Sequence, residues 1–166
     1  MKKLLGLFLL CFSLAAHAQY DVVKVGNWDV SKANAYAALL SHEKSSLTSD
    51  QEKVQADLNV FCDDEKNLSV FFMWSRTMFP RDYQLEEVST TVQWDSKAPE
   101  SIVFLADPLT LFFPGDMTAN VIDNLKKHNQ LILRIRDSKN KWNLVGTFNL
   151  NGAAEAITVP VNACKK

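Results

Sequence analysis

Few side chains in this sequence are of the types that break bonds or hold metals, and their spacing limits what they can do. Of the three histidines, His17 lies close to the N-terminus, which leaves His42 and His128 as candidate bases. They stand far apart, so there is no His-x-x-His or His-Glu-x-x-His arrangement for zinc. His42 ends a strand-like run and His128 ends a helix-like one, and surface or helix-end roles account for both. The sequence also lacks a Gly-x-Ser-x-Gly elbow, a Ser-x-x-Lys motif and a glycine-rich phosphate loop. Asp63-Asp64-Glu65 is rich in carboxylates but has neither the alternating ladder nor the glycine of an EF-hand, and reads as an acidic turn. The expectation is a protein with no catalytic, cofactor-binding or metal-binding centre.

Cys62 and Cys164 are more informative, because the N-terminus says where they work. Lys2 and Lys3 precede an apolar run from Leu4 to Ala16, and Ala16-His17-Ala18 precedes Gln19. A basic start, an apolar core and small residues at −3 and −1 predict a signal peptide over 1–18 and export of 19–166 to the periplasm or beyond. The apolar run falls short of the roughly 20 residues a permanent membrane anchor needs. Cys11 follows Leu10, where a lipoprotein needs a small residue. In an oxidising compartment the isolated pair Cys62 and Cys164 is most simply a structural disulfide, and Cys-x-x-Cys spacing is absent.

Candidate binding residues fall in three places. The segment Met78-Phe79-Pro80-Arg81-Asp82-Tyr83 offers Phe79, Arg81 and Tyr83. Leu109 to Pro114 offers Phe112 and Phe113. Aromatics with arginine are the usual composition of an interface centre. Arg134 and Arg136 alternate with Leu133 and Ile135, so both point outward from one strand and are able to grip a partner's carboxylate. Because neighbours on a strand face opposite ways, Phe112 and Phe113 need separate burial sites.

The elements that must carry these residues read mostly as strands. Val54 to Cys62 alternates with Val54, Ala56, Leu58, Val60 and Cys62 on one face, and Leu68 to Arg76 places Leu68, Val70, Phe72 and Trp74 together. A polar turn between them makes a hairpin. Further strands are expected at 27–32, 36–42, 87–95, 101–105, 109–112, 131–137 and 142–149. Asp116 to His128 has helical spacing at Met117, Val121, Ile122 and Leu125, with Asp116 placed to cap and Lys126 and Lys127 in the last turn. Gly152 to Cys164 aligns Ala153, Ile157, Val161 and Cys164, but Pro160 interrupts it and predicts a short, turn-rich piece. The expected fold is a single, mainly β domain: an antiparallel β-sandwich or strongly curved sheet with one or two short helices.

Charge narrows the partners. With Lys2 and Lys3 gone from the 18 basic residues, the 19 acidic ones leave the exported chain at −3 with histidine neutral. Nucleic acids and anionic membranes demand a basic face, so neither is expected. No later segment is long and apolar enough for stable membrane insertion.

The order of features resembles the VasI/TagO-like periplasmic proteins associated with type VI secretion. The resemblance runs from Trp28-Asp29-Val30 through Asp57 to Cys62, Trp74, Leu109 to Pro114 and Leu131 to Arg136. It ends at Gly146 to Gly152, Ala156-Ile157 and Ala163-Cys164. It implies a small β-rich periplasmic accessory protein without known catalysis, and it agrees with joining Cys62 to Cys164. The functional expectation is a non-enzymatic binding or accessory module that docks on an envelope or periplasmic protein. The alternative is an immunity or inhibitor protein that neutralises a toxic enzyme.

Overall fold

Alternating burial organises the chain into one antiparallel sheet. The computed structural model describes residues 21–40, 46–47, 56–74, 86–107, 109–137 and 142–165. Its strands are β1 (Val22–Val25), β2 (Trp28–Ser31), β3 (Tyr36–Leu40), β4 (Ser46–Leu47), β5 (Ala56–Cys62), β6 (Leu68–Trp74), β7 (Glu86–Trp94), β8 (Glu100–Ala106), β9 (Thr110–Phe112), β10 (Gln130–Asp137) and β11 (Trp142–Asn149). They pair in the order β1-β2-β3-β5-β6-β9-β8-β7-β10-β11-β4. Among the described residues no helix is long and apolar enough to cross a membrane.

The sheet is strongly curved and remains open. Two measurements require the curvature. β6 and β11 are five strand spacings apart in the order, about 24 Å on a flat sheet. Yet the rings of Phe72 on β6 and Phe148 on β11 have centroids only 5.2 Å apart. The connection from β3 to β4 gives the same answer. Six residue steps reach roughly 22 Å at most, whereas eight strand spacings of a flat sheet cover about 38 Å. The sheet therefore curls until its inner face meets itself, and β1 and β4 remain as unjoined edges.

Inside the curl lies one apolar core. Leu58, Val60, Phe72, Phe104, Leu111, Leu131, Leu133 and Phe148 point into it from six strands. Phe72 sits among Trp74, Phe104, Phe113 and Phe148, with centroids between 5.2 and 6.5 Å. Tilted and offset-stacked ring pairs of this kind each add about 1 kcal/mol beyond the burial of their area.

The helices close the core and correct two expectations. α1 runs Thr118–Lys127 and buries Val121, Ile122 and Leu125, with Lys126 and Lys127 in its last turn as the sequence predicts. Asp116 does not cap it. A 3-10 turn, Gly115–Met117, precedes the helix, its Met117 N–H bonds to the Pro114 carbonyl, and no side chain caps either segment. The C-terminal stretch forms two short helices, α2 (Ala153–Ala156) and α3 (Thr158–Cys164), instead of a turn-rich piece. Pro160 falls in the first turn of α3, where its missing N–H would have no helical acceptor anyway. Two strands, β1 and β4, go beyond those expected from the sequence.

A glycine contact pins one edge of the curl. The β1–β2 turn, Gly26-Asn27, joins Val25 to Trp28 in register, and Gly26 has φ +59°. A two-residue hairpin with glycine first is the turn that suits the right-handed twist of strands. Its tip meets the turn after β11, where Asn27 N–H donates to the Asn151 carbonyl at 3.1 Å. A Cβ on Gly26 would lie 2.5 Å from the Asn151 oxygen, and one on Gly152 (φ +88°) 2.4 Å from the Val25 oxygen.

Candidate docking surface

The cysteines meet as the sequence predicts. Cys62 at the end of β5 and Cys164 at the end of α3 form a disulfide across 102 positions, with Cα atoms 5.6 Å apart. The bond ties the last helix onto the inner end of β5. Beside it a cleft of about 420 Å³ is lined by Lys32, Asn34, Phe61, Asp63, Asp64 and Lys66, among others. Lys66 donates from Nζ to the Ala163 carbonyl at 3.3 Å, which adds a polar tether for α3. The acidic turn is occupied with itself. Asp63 accepts the Asn67 backbone N–H at 2.7 Å and its side-chain amide at 3.1 Å. Those bonds, the backbone one first, hold the Asp63 carboxyl below the usual aspartate range.

His128 is the one described histidine, and it has a partner. As the residue that ends α1, it lies with its ring centroid 5.8 Å from that of Trp94. Lys97, a donor only, faces Nε2 at 3.1 Å, so Nε2 accepts and the Nδ1–H donates to Asp95 at 2.8 Å. Asp95 also accepts the N–H groups of Asn129 and Gln130 through its other oxygen. The cluster thus links the β7–β8 turn to the start of β10. Lys97 takes the Nε2 position that a general base would offer to a hydroxyl or thiol.

A pH dependence follows from this geometry. The His128 hydrogen bond, aided by the two backbone N–H groups, lowers the Asp95 pKa from its ordinary 3.8. A depressed carboxylate contributes stability that is complete above the unfolded pKa and is lost as pH falls through the folded one. Asp95 sits at φ +49°, a conformation that asparagine tolerates. Asp95→Asn is therefore expected to lower the urea midpoint by a constant amount above about pH 5, and the gap to wild type should close below about pH 3. A gap independent of pH down to acid unfolding would show that the charge of Asp95 is not what matters.

Placing the predicted binding residues redraws the surface. Phe79, Arg81 and Tyr83 lie outside the described residues, as do His42 and the predicted signal peptide. Phe113 is corrected. It is only 5% exposed and packs on Phe104 and Phe72, with centroids 4.5 and 5.6 Å away, so it belongs to the core and offers nothing to a partner. Phe112 points the other way, onto the outer face, as the alternation of a strand demands. Arg134 also faces out and is half-buried, its Nη1 donating to the Gln93 side chain at 2.8 Å. Arg136 lies opposite Asn143 in β10–β11.

Around Phe112 the outer face is apolar. Its neighbours in register are Phe71 on β6 and Leu105 on β8. The Phe71 and Phe112 rings are 5.6 Å apart. Met73, Val103 and Leu105 are 42%, 49% and 46% exposed, and Leu109 adds a further exposed apolar side chain at the β8–β9 turn. Single exposed apolar residues are ordinary, whereas a contiguous group in the middle of a sheet marks a contact surface. The sequence carried a signal for it. Val70-Phe71-Phe72-Met73-Trp74 and Ile102-Val103-Phe104-Leu105-Ala106 are apolar at every position, which means that both faces of these strands are apolar.

No family model and no curated protein matches the chain. Among solved structures it is similar to the crystal structure of invasion associated protein B from Bartonella henselae. The TM-score is 0.55 at 14% sequence identity, over 87% of this chain and 99% of that one. At that identity the likeness is one of fold.

Proposed function

We propose that this chain is a non-enzymatic periplasmic module that docks on another envelope protein through the outer face of β6, β9 and β8, as an accessory of a secretion apparatus. The observation that carries the docking role is the apolar group Phe71, Met73, Val103, Leu105 and Phe112 on a face that the chain's own described helices leave uncovered. Supporting the location are the Lys2-Lys3 start with its Ala-His-Ala site and a disulfide that fits an oxidising compartment. Supporting the absence of catalysis is the Asp95–His128 pair, whose free nitrogen is taken by a lysine. The secretion role is the part that the resemblance to VasI/TagO-like proteins contributes.

The test is position-specific photo-crosslinking in living cells. A photoreactive residue at position 105, on the outer face, is expected to give one discrete adduct. The same residue at Ala154, on the exposed side of α2, is expected to give none. Equal adducts from both positions, or none from 105, would count against docking by this face.

A further inference from the structure

The apolar face has a definite geometry, and that geometry constrains what lies on it. β9 is paired on both sides, by β6 and by β8, so its backbone groups are already satisfied. A partner strand cannot add here, because strand addition needs a free edge. Whatever covers the face must bring a self-satisfied backbone and contribute side chains alone. Phe71, Phe112 and Leu105 form one rung, and Met73 and Val103 lie two residues along their strands in opposite directions from it. Each such step is about 7 Å, so the patch is about two to three helical turns long.

Charge then sets the flanks of the partner. Glu87 is exposed and stands directly opposite Leu105, at the end of the rung. Asp107 closes the β8–β9 turn, its carboxylate accepting the N–H groups of Leu109 and Thr110. The residues in register with Phe71, Met73, Val103, Leu105 and Phe112 include Asn59, Asp57, Ser89 and Glu87, and no lysine or arginine. An anionic lipid surface would meet like charge here. A second copy related by a two-fold axis across the strands would set Glu87 over itself.

Resting on the docking role proposed above, we infer that this face receives an amphipathic helix of a partner protein, its apolar stripe at i, i+4 and i+7 flanked by lysine or arginine. Equilibrium binding of the oxidised chain 19–166 to two synthetic 18-residue helices tests this, one of leucine and lysine and one of leucine and glutamate. The lysine helix should bind at least tenfold tighter. Val103→Ser with Leu105→Ser should remove that binding without moving the melting temperature. Glu87→Lys should erase or reverse the preference, whereas Glu155→Lys, on α2, should leave it intact. Equal affinity for the two helices, binding that survives the double serine variant, or a preference for vesicles of anionic lipid would each overturn the inference. If both helices fail while the double serine variant still loses its crosslinked cellular partner, only the chemistry of the partner is wrong. If that variant keeps its partner, the docking role itself fails.

Discussion

Removing the Cys62–Cys164 bond should lower the melting temperature by about 10–15 °C. The bond spans 102 positions, and the chain-entropy model gives a loop of that length roughly 4–5 kcal/mol, an upper figure. For a domain of about 150 residues, 1 kcal/mol corresponds to about 2–4 °C. The native structure adds a local reason. α3 has only seven residues, too few to be a stable helix alone. Apart from the disulfide, it rests on the Lys66 tether, on burial of Pro160 and on partial burial of Val159 and Val161. Cys164→Ala is the better variant, because Cys62 is buried and Cys164 half-exposed. It should shift the melting curve and raise amide exchange selectively over 158–164. A shift below about 3 °C would mean that the bond holds little that the core does not already hold.

Gly152→Ala should cost about 3 kcal/mol, because an added methyl fits worse there than at any other described glycine. Two terms act together. A φ of +88° costs a residue with a side chain about 1–3 kcal/mol. The added Cβ would also sit 2.4 Å from the Val25 carbonyl oxygen and 2.9 Å from the Cα of Gly26, both backbone atoms that cannot swing aside. Relief requires the β1–β2 hairpin to lift off the β11–α2 turn, which breaks the Asn27–Asn151 hydrogen bond. Gly115→Ala serves as the control. Nothing lies within 4 Å of its Cβ, and a change within about 0.5 kcal/mol is expected from urea unfolding. Similar costs at both glycines would place the effect in the unfolded chain rather than in the contact.

Where the fold was legible, a two-residue period carried it. β5 follows its alternation down to the inward Cys62, and β7, β8, β10 and β11 begin and end within a residue or so of the expected bounds. The interior of α1 was equally plain, because Val121, Ile122 and Leu125 share one helical face. Its start was not, since a 3-10 turn made of backbone bonds leaves no capping residue to read. Pro160 misled for a related reason. Its effect depends on where the helix begins, and α3 begins only two residues before it.

The surface was harder to read than the core. Aromatic residues in a loop-like context drew attention to Phe112 and Phe113, and alternation correctly required them to diverge. Which of the two faces solvent depends on the register of β9 with β6 and β8, a contact between distant parts of the chain. Phe71, Met73, Val103 and Leu105 escaped notice because their strands looked like ordinary core strands. The all-apolar runs hold two faces' worth of information, and only the curl of the sheet tells which face is inside. The curl itself depends on long-range contacts such as Phe72 with Phe148, which local periodicity does not encode.

The most direct measurement is the affinity of the partner crosslinked at position 105, purified, for the wild-type domain and for the variant carrying Val103→Ser and Leu105→Ser. The expected result is a loss of at least a hundredfold at an unchanged melting temperature. Equal affinity would contradict it, because a partner indifferent to both side chains does not dock on this face.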